Sequence, residues 1–261
     1  MASIYWLSQT ESDVPADDDW LCPAEALRLS GMRFAKRRAD WRLGRWTAKR
    51  ALALCLSVSG DRLKNDHPTD VRLEDDRRPH EFLRDEREVL SAIEIRSAPS
   101  GAPEVFLRSE RAAVTISLSH RFGKAVCAVA RGAISLGCDL ERVEPHSDVF
   151  VGDYFTVAEQ TSVAQSSPAD RFSTLALLWS GKESALKALH IGLRLDTREL
   201  TVIPEFSSET DGWHPLAVRG TDSQIFHGWW QRCGEFVQTM VSTPSSLPPI
   251  CLRNRIASPA A

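Results

Sequence analysis

Apolar and polar residues alternate over Ile93-Glu94-Ile95-Arg96, while from about 33 to 57 the apolar residues fall at helical spacing. In that longer stretch Phe34, Trp41, Leu43, Trp46, Leu52 and Leu56 are the apolar positions. Lys36, Arg37, Arg38, Arg42, Arg45, Lys49 and Arg50 give it a basic face. Further short apolar runs predict strands over 4–7, 105–107, 114–118, 125–130, 134–141, 199–203, 216–219, 224–231 and 235–242. A turn around Arg121-Phe122-Gly123 joins two of them. Pro23 opens a short helix. Thr156-Val157-Ala158-Glu159 has the form of a capping box and opens another. Ser167-Pro168 places an N-cap before a first-turn proline, opening a long helix that Gly192 stops. Residues 97–103 and 144–148 read as loops, and Asp75 to Pro79 as a turn or mobile loop.

The pattern divides the chain into two α+β halves, each placing a long helix before a set of strands. Trp46-Thr47-Ala48-Lys49 in the first helix is echoed by Trp179-Ser180-Gly181-Lys182 in the second. The expected halves are 1–132 and 133–242, followed by a Pro- and Ser-rich flexible tail over 243–261. A cleft between similar halves is a favoured place for a ligand.

Composition narrows the function classes. The 261 residues are 43% hydrophobic and 26% charged with a net charge of −3, an ordinary globular balance. The acidity argues against a general nucleic-acid binder. No run is apolar for long enough to span a bilayer. The polar, acidic N-terminal stretch is unlike a secretory leader. Six cysteines form no C-x-x-C pair, which argues against structural zinc. Together these readings give the expectation of a soluble, reduced, cytoplasmic protein.

The candidate chemistry lies in two runs. In the strand ending Gly137-Cys138-Asp139-Leu140-Glu141, positions i and i+2 share a face, so Asp139 and Glu141 project together. In the helix Trp179-Ser180-Gly181-Lys182-Glu183-Ser184-Ala185-Leu186-Lys187, spacing i,i+4 brings Glu183 beside Lys187. If strand and helix pack, three acids stand beside two lysines, a setting for a hard oxygen-liganded cation and a phosphate-rich substrate. Alone, each run also fits a bland role: a solvated strand edge, or an exposed Glu–Lys helix pair. Gly181 inside a helix costs about 1 kcal/mol against alanine and points to close approach of a ligand or another backbone. Ser119-His120 and the basic run with Arg45 fit phosphate contacts, or equally a satisfied histidine and a solvated helix face.

Taken together, the two runs resemble the G-x-D-x-E and W-x-x-K-E-x-x-x-K signatures of 4′-phosphopantetheinyl transferases, in the right order and spacing. Three further segments are similar to the Sfp-type, two-domain branch: the basic stretch ending Gly44-Arg45, the loop Ser100-Gly101-Ala102-Pro103, and Ser117-Leu118-Ser119-His120. The resemblance implies two α+β halves related by a pseudo-two-fold axis, with the active site in the cleft between them. The N-terminal half would take the coenzyme A nucleotide, and the C-terminal half the metal and the transfer. The implied reaction moves the phosphopantetheine arm of coenzyme A to a serine of an apo acyl or peptidyl carrier protein, a holo-acyl-carrier-protein synthase activity. Adenosine 3′,5′-bisphosphate is the other product. Asp139, Glu141 and Glu183 match ligands of Mg2+ or Mn2+, and Glu183 and Lys187 the catalytic pair. Arg38, Arg45, Gly101, Ser119, His120, Lys182 and Lys187 match coenzyme A contacts. The family often has Lys or Arg where Ala102 stands. A monomer is expected, with Phe122 and Phe155 near the cleft as carrier contacts or, more readily, as core residues. The alternatives are another magnesium-dependent phosphotransferase, or a non-catalytic module that binds coenzyme A or a carrier.

Overall fold

A computed structural model describes residues 1–58, 86–191, 195–205, 212–221 and 224–253. The expected loop around Asp75 to Pro79 lies outside them. The fold is mixed α+β. Its first half runs β1 (Ile4–Thr10), α1 (Pro23–Ser30), α2 (Ala35–Val58), β2 (Ile93–Ser97), β3 (Pro103–Leu107), β4 (Glu110–Arg111), β5 (Val114–Arg121) and β6 (Lys124–Arg131). The second runs β7 (Ser135–Arg142), α3 (Asp148–Tyr154), α4 (Val157–Gln165), α5 (Arg171–Leu189), β8 (Leu200–Pro204), β9 (His214–Gly220), β10 (Ile225–Cys233) and β11 (Phe236–Thr243). In both halves the first strand pairs antiparallel with the last, β1 with β6 and β7 with β11. The C-terminal sheet is continuous, β7-β11-β10-β9-β8, whereas the N-terminal strands form, with β12 (Ile250–Cys251), the order β12-β1-β6-β5 and a separate β2-β3-β4.

The sequence echo marks a shared internal brace. Glu159, third residue of α4, accepts the Thr156 N–H at 2.8 Å and receives the Lys182 ammonium of α5 at 2.8 Å. Its other oxygen accepts the Val202 N–H of β8 at 2.9 Å. Glu25, third residue of α1, repeats this with Lys49 of α2 at 2.5 Å and the Ile95 N–H of β2 at 3.1 Å. One buried carboxylate in each half thus ties a short helix, a long helix and the first strand after them. Both lysines are fully buried, and each also donates to backbone carbonyls: Lys182 to Thr197 and Leu200, Lys49 to Trp20.

Three boundaries differ from expectation. Residues 148–154 are helical, capped by Ser147, whose hydroxyl accepts the Phe150 N–H at 3.1 Å. The helix carrying Glu183 starts at Arg171 rather than at Pro168, because the Ser167 carbonyl closes a turn onto the Asp170 and Arg171 N–H groups. It ends at Leu189 with His190 left-handed, and Gly192 lies outside the described residues. The tail is also corrected. β12 (Ile250–Cys251) pairs parallel with β1, and Leu252 is buried in the N-terminal core. Its described part therefore returns to the first half and packs there. Among the described residues no helix is long and apolar enough to cross a membrane.

Gly181 is explained by a side chain rather than by a ligand or a backbone. A Cβ there would lie 2.8 Å from Cγ1 of buried Val202, and a β-branched side chain cannot swing aside. Gly181→Ala is therefore expected to destabilise the protein by about 1–3 kcal/mol through overpacking, despite alanine's better helix propensity. A lower urea midpoint checks this; a raised midpoint would show that the helix accommodates the methyl.

Candidate active site

α5 crosses β7 at Gly137. A Cβ at this position would lie 1.7 Å from the Ser184 carbonyl oxygen, so only glycine admits the helix so closely. Thr239 of β11 secures the crossing, donating to the Ser180 carbonyl at 2.9 Å and lying 2.7 Å from the Ser184 hydroxyl. Alternation along β7 turns Leu136, Cys138 and Leu140 into a core shared with Ile4, Val126 and Met240. Gly137, Asp139 and Glu141 face the other way, toward α5. The expected meeting of strand and helix therefore occurs.

The Lys187 ammonium lies 2.6 Å from Asp139 Oδ1 and donates to the Cys138 carbonyl at 3.1 Å. Ser119 Oγ donates to the same Oδ1 at 2.8 Å, while Asp139 Oδ2 is buried without a partner. Arg121 stands 3.4 Å from Glu141 and 2.9 Å from Glu144. Desolvation, then the like charges of Asp139 and Glu183, push Glu141 up to about 7. Desolvation and Asp139 likewise raise Glu183. Burial pulls Lys187 down, but Asp139 together with Cys138 and Glu183 outweighs it and the net shift is upward, which keeps the amine charged. His120 is lowered, first by desolvation and further by Lys187 and Lys36, against the opposing pull of Asp40.

Asp139, Glu141 and Glu183 fit a hard divalent cation by donor type. One buried carboxylate oxygen has no partner, and two acids are raised first by desolvation and then by neighbouring carboxylates, a repulsion that a cation would relieve. Among the described residues no His, Cys, Asp or Glu side chains are gathered into a closed metal cage. Lys187 and Arg121 hold positions beside two of the acids instead.

The raised Glu141 sets a pH dependence. In metal-free protein the folded state binds this proton more tightly than the unfolded one. Stability is then greatest below about pH 4.5 and is lost as pH rises through about 7. Glu141→Gln removes that loss. At about 1.4 kcal/mol per pKa unit, the variant should be more stable above pH 7 by up to about 3 kcal/mol, with the advantage gone near pH 4.5. Denaturation of both proteins in chelator across this range checks it; a gap independent of pH would contradict it.

Where the halves meet, a cavity of about 370 Å³ opens beside the acids. Arg45, the Ser100–Pro103 loop, Ile116–Leu118 of β5, and Leu186, Lys187 and His190 line it. Ser117 also stitches the halves together, its Oγ accepting the Cys138 N–H at 2.8 Å. Arg45 is nearly buried, 3.8 Å from Glu25 and 5.2 Å from the Trp41 ring centre, with an Nε that has no hydrogen-bond partner.

The sequence-predicted residues divide accordingly. Arg45, Gly101 and Lys187 reach the cavity. Asp139 and Lys187 meet directly, and Asp139 raises both Glu141 and Glu183. His120 lies within β5 beside Gly44 of α2, whose added Cβ would come 3.9 Å from its ring. Ser119 bonds Asp139 instead of facing the cavity. Arg38 is a correction: its guanidinium donates to the Leu29 and Met32 carbonyls, satisfying the end of α1. Lys182 is another, fully buried and committed to Glu159 and to the Thr197 and Leu200 carbonyls. Phe155 is fully buried against Trp179, while Phe122 is 58% exposed between the Arg121 and Arg142 guanidiniums. Arg121 and His190 were not singled out from sequence. Only a left-handed, non-glycine helix end could have drawn attention to His190, and that is visible only in the fold.

Residues 135–230 match the sequence model of the 4′-phosphopantetheinyl transferase superfamily. The match spans β7, α5 and the strands up to β10, and so contains all three acids and Lys187. No curated protein matches the chain.

Proposed function

We propose that this chain, whose residues 135–230 match the 4′-phosphopantetheinyl transferase superfamily model, moves the 4′-phosphopantetheine arm of coenzyme A to a serine of an apo carrier protein, as a two-half, Sfp-type enzyme. The observation that carries this reading is the ion pair of Asp139 with Lys187, a lysine that also lines a cavity shared with Arg45 and the Ser100–Pro103 loop. Arg45 and Lys187 offer positive charge to the phosphates of coenzyme A. Glu183, its carboxylate raised toward neutrality, takes the proton of the carrier serine. The serine oxygen then bonds to the pantetheine-side phosphorus as the bridging P–O bond of the pyrophosphate breaks. The electron pair leaves on adenosine 3′,5′-bisphosphate, and the Lys187 ammonium stabilises the charge gathering there. Asp139, Glu141 and Glu183 would hold Mg2+ or Mn2+, which when bound supplies further positive charge to the pyrophosphate. Exposed Phe122, flanked by two guanidiniums, offers an apolar contact within a basic rim to an acidic helical carrier domain.

The test is formation of adenosine 3′,5′-bisphosphate from coenzyme A with magnesium, with and without an apo carrier. Release that depends on the carrier supports the proposal. Release without it would favour a different phosphotransferase, and binding without release a non-catalytic module. Arg45→Ala should raise the KM for coenzyme A by about tenfold, the scale of a lost hydrogen bond to a charged group. An unchanged KM would place the nucleotide elsewhere.

A further inference from the structure

α5 ends in a Schellman turn. The His190 N–H reaches the Lys187 carbonyl at 3.1 Å, and the Ile191 N–H reaches that of Leu186 at 3.4 Å. The turn requires a left-handed residue just past the helix, where glycine is the usual choice because a Cβ is penalised there. This chain places histidine at that position, at φ 56° and ψ 29°. A histidine there carries the Cβ penalty that glycine avoids, and this departure points to use of the side chain.

His190 lines the cavity three residues beyond Lys187, on the same side of the helix end. Ser97 and the Ser100–Pro103 loop, which also line the cavity, contain no charged residue. A helix C-terminus presents carbonyls and partial negative charge, which repel an anion. An anionic ligand bound here therefore needs side-chain donors to offset that end. Lys187 is one, but it is shared with Asp139, and Arg45 comes from the other half.

We infer that His190 is a ligand-binding residue of this cavity, donating a ring N–H to a phosphate oxygen of the nucleotide where the loop offers no charged group. The inference rests on the coenzyme A reading above. It assigns His190 a side-chain role and treats the left-handed strain as the cost of placing that donor.

Calorimetric titration of coenzyme A and of adenosine 3′,5′-bisphosphate into the wild-type, His190→Gly and His190→Asn proteins tests it. Glycine accepts the left-handed turn without strain, so His190→Gly should fold with an unchanged or raised melting temperature. Its Kd for both ligands should nevertheless rise about tenfold, the scale of one hydrogen bond to a charged group. His190→Asn, which tolerates the turn and keeps a short donor, should recover part of that loss. Wild-type affinity in His190→Gly, alongside weakened binding in Arg45→Ala, would overturn the role of His190 and leave the functional reading standing. Failure of the wild-type protein to bind either ligand would overturn both.

Discussion

Glu183→Gln should leave a folded protein whose phosphopantetheinyl transfer has fallen by about 10²–10⁴-fold, the range for losing an acid–base group. Glutamine keeps the size and one acceptor of the side chain but cannot take a proton. It also removes a negative charge from a site where Asp139 and Glu183 raise Glu141. The melting temperature of the metal-free variant should therefore hold or rise while the rate collapses, a combination that unfolding cannot produce. Single-turnover transfer beside a thermal melt checks both parts. Full activity in the variant would remove Glu183 from the chemistry.

Glu159→Ala should cost about 3–5 kcal/mol of stability, the usual loss when one member of a buried ion pair is removed. The carboxylate is the partner of fully buried Lys182 and accepts the Val202 N–H. The alanine variant leaves a charge and an amide without it. Desolvation already lowers the Lys182 pKa, so the amine should lose its proton once the carboxylate has gone. Transfer should fall as well, because this brace fixes the helix that carries Glu183 and Lys187. Glu25→Ala should show a loss of similar size through Lys49. Removing the exposed Asp196–Arg198 pair should change stability by less than about 1 kcal/mol. Urea denaturation of the three variants checks the ranking. A loss in Glu159→Ala no larger than in the surface variant would show that the brace does not hold the helix.

The carboxylate site was readable in the sequence because strand alternation and helical spacing are local rules. They bring Asp139 and Glu141 to one face, and Glu183 and Lys187 to another, without knowledge of the fold. The same rule, applied strictly, separates Lys182 from Lys187. Residues five apart on a helix point well away from each other, and Lys182 indeed turns to Glu159. The expectation of two lysines beside the acids overlooked that rotation, and the family motif pointed the same way. The Trp-x-x-Lys echo was visible as four letters, but its meaning depends on Glu25 and Glu159, which lie 24 and 23 residues upstream of their lysines. No periodicity reports pairs at such distances. Pairing of β12 with β1 joins opposite ends of the chain through two residues, too short a run to stand out from a Pro- and Ser-rich tail. The helix at 148–154 escapes the pattern although Ser147 is an ordinary N-cap, because it is only seven residues long and holds two β-branched valines and Gly152, all weak helix formers. Arg38 looked like part of a basic face until the end of α1 supplied its carbonyl partners.

The most direct measurement is the intact mass of an apo carrier protein after incubation with this protein, coenzyme A and magnesium. The expected result is a gain equal to one phosphopantetheine arm, abolished by chelation and by Glu183→Gln. An unmodified mass across a panel of fatty acid, polyketide and peptide carriers, under conditions where coenzyme A binds, would contradict transfer as the function of this site.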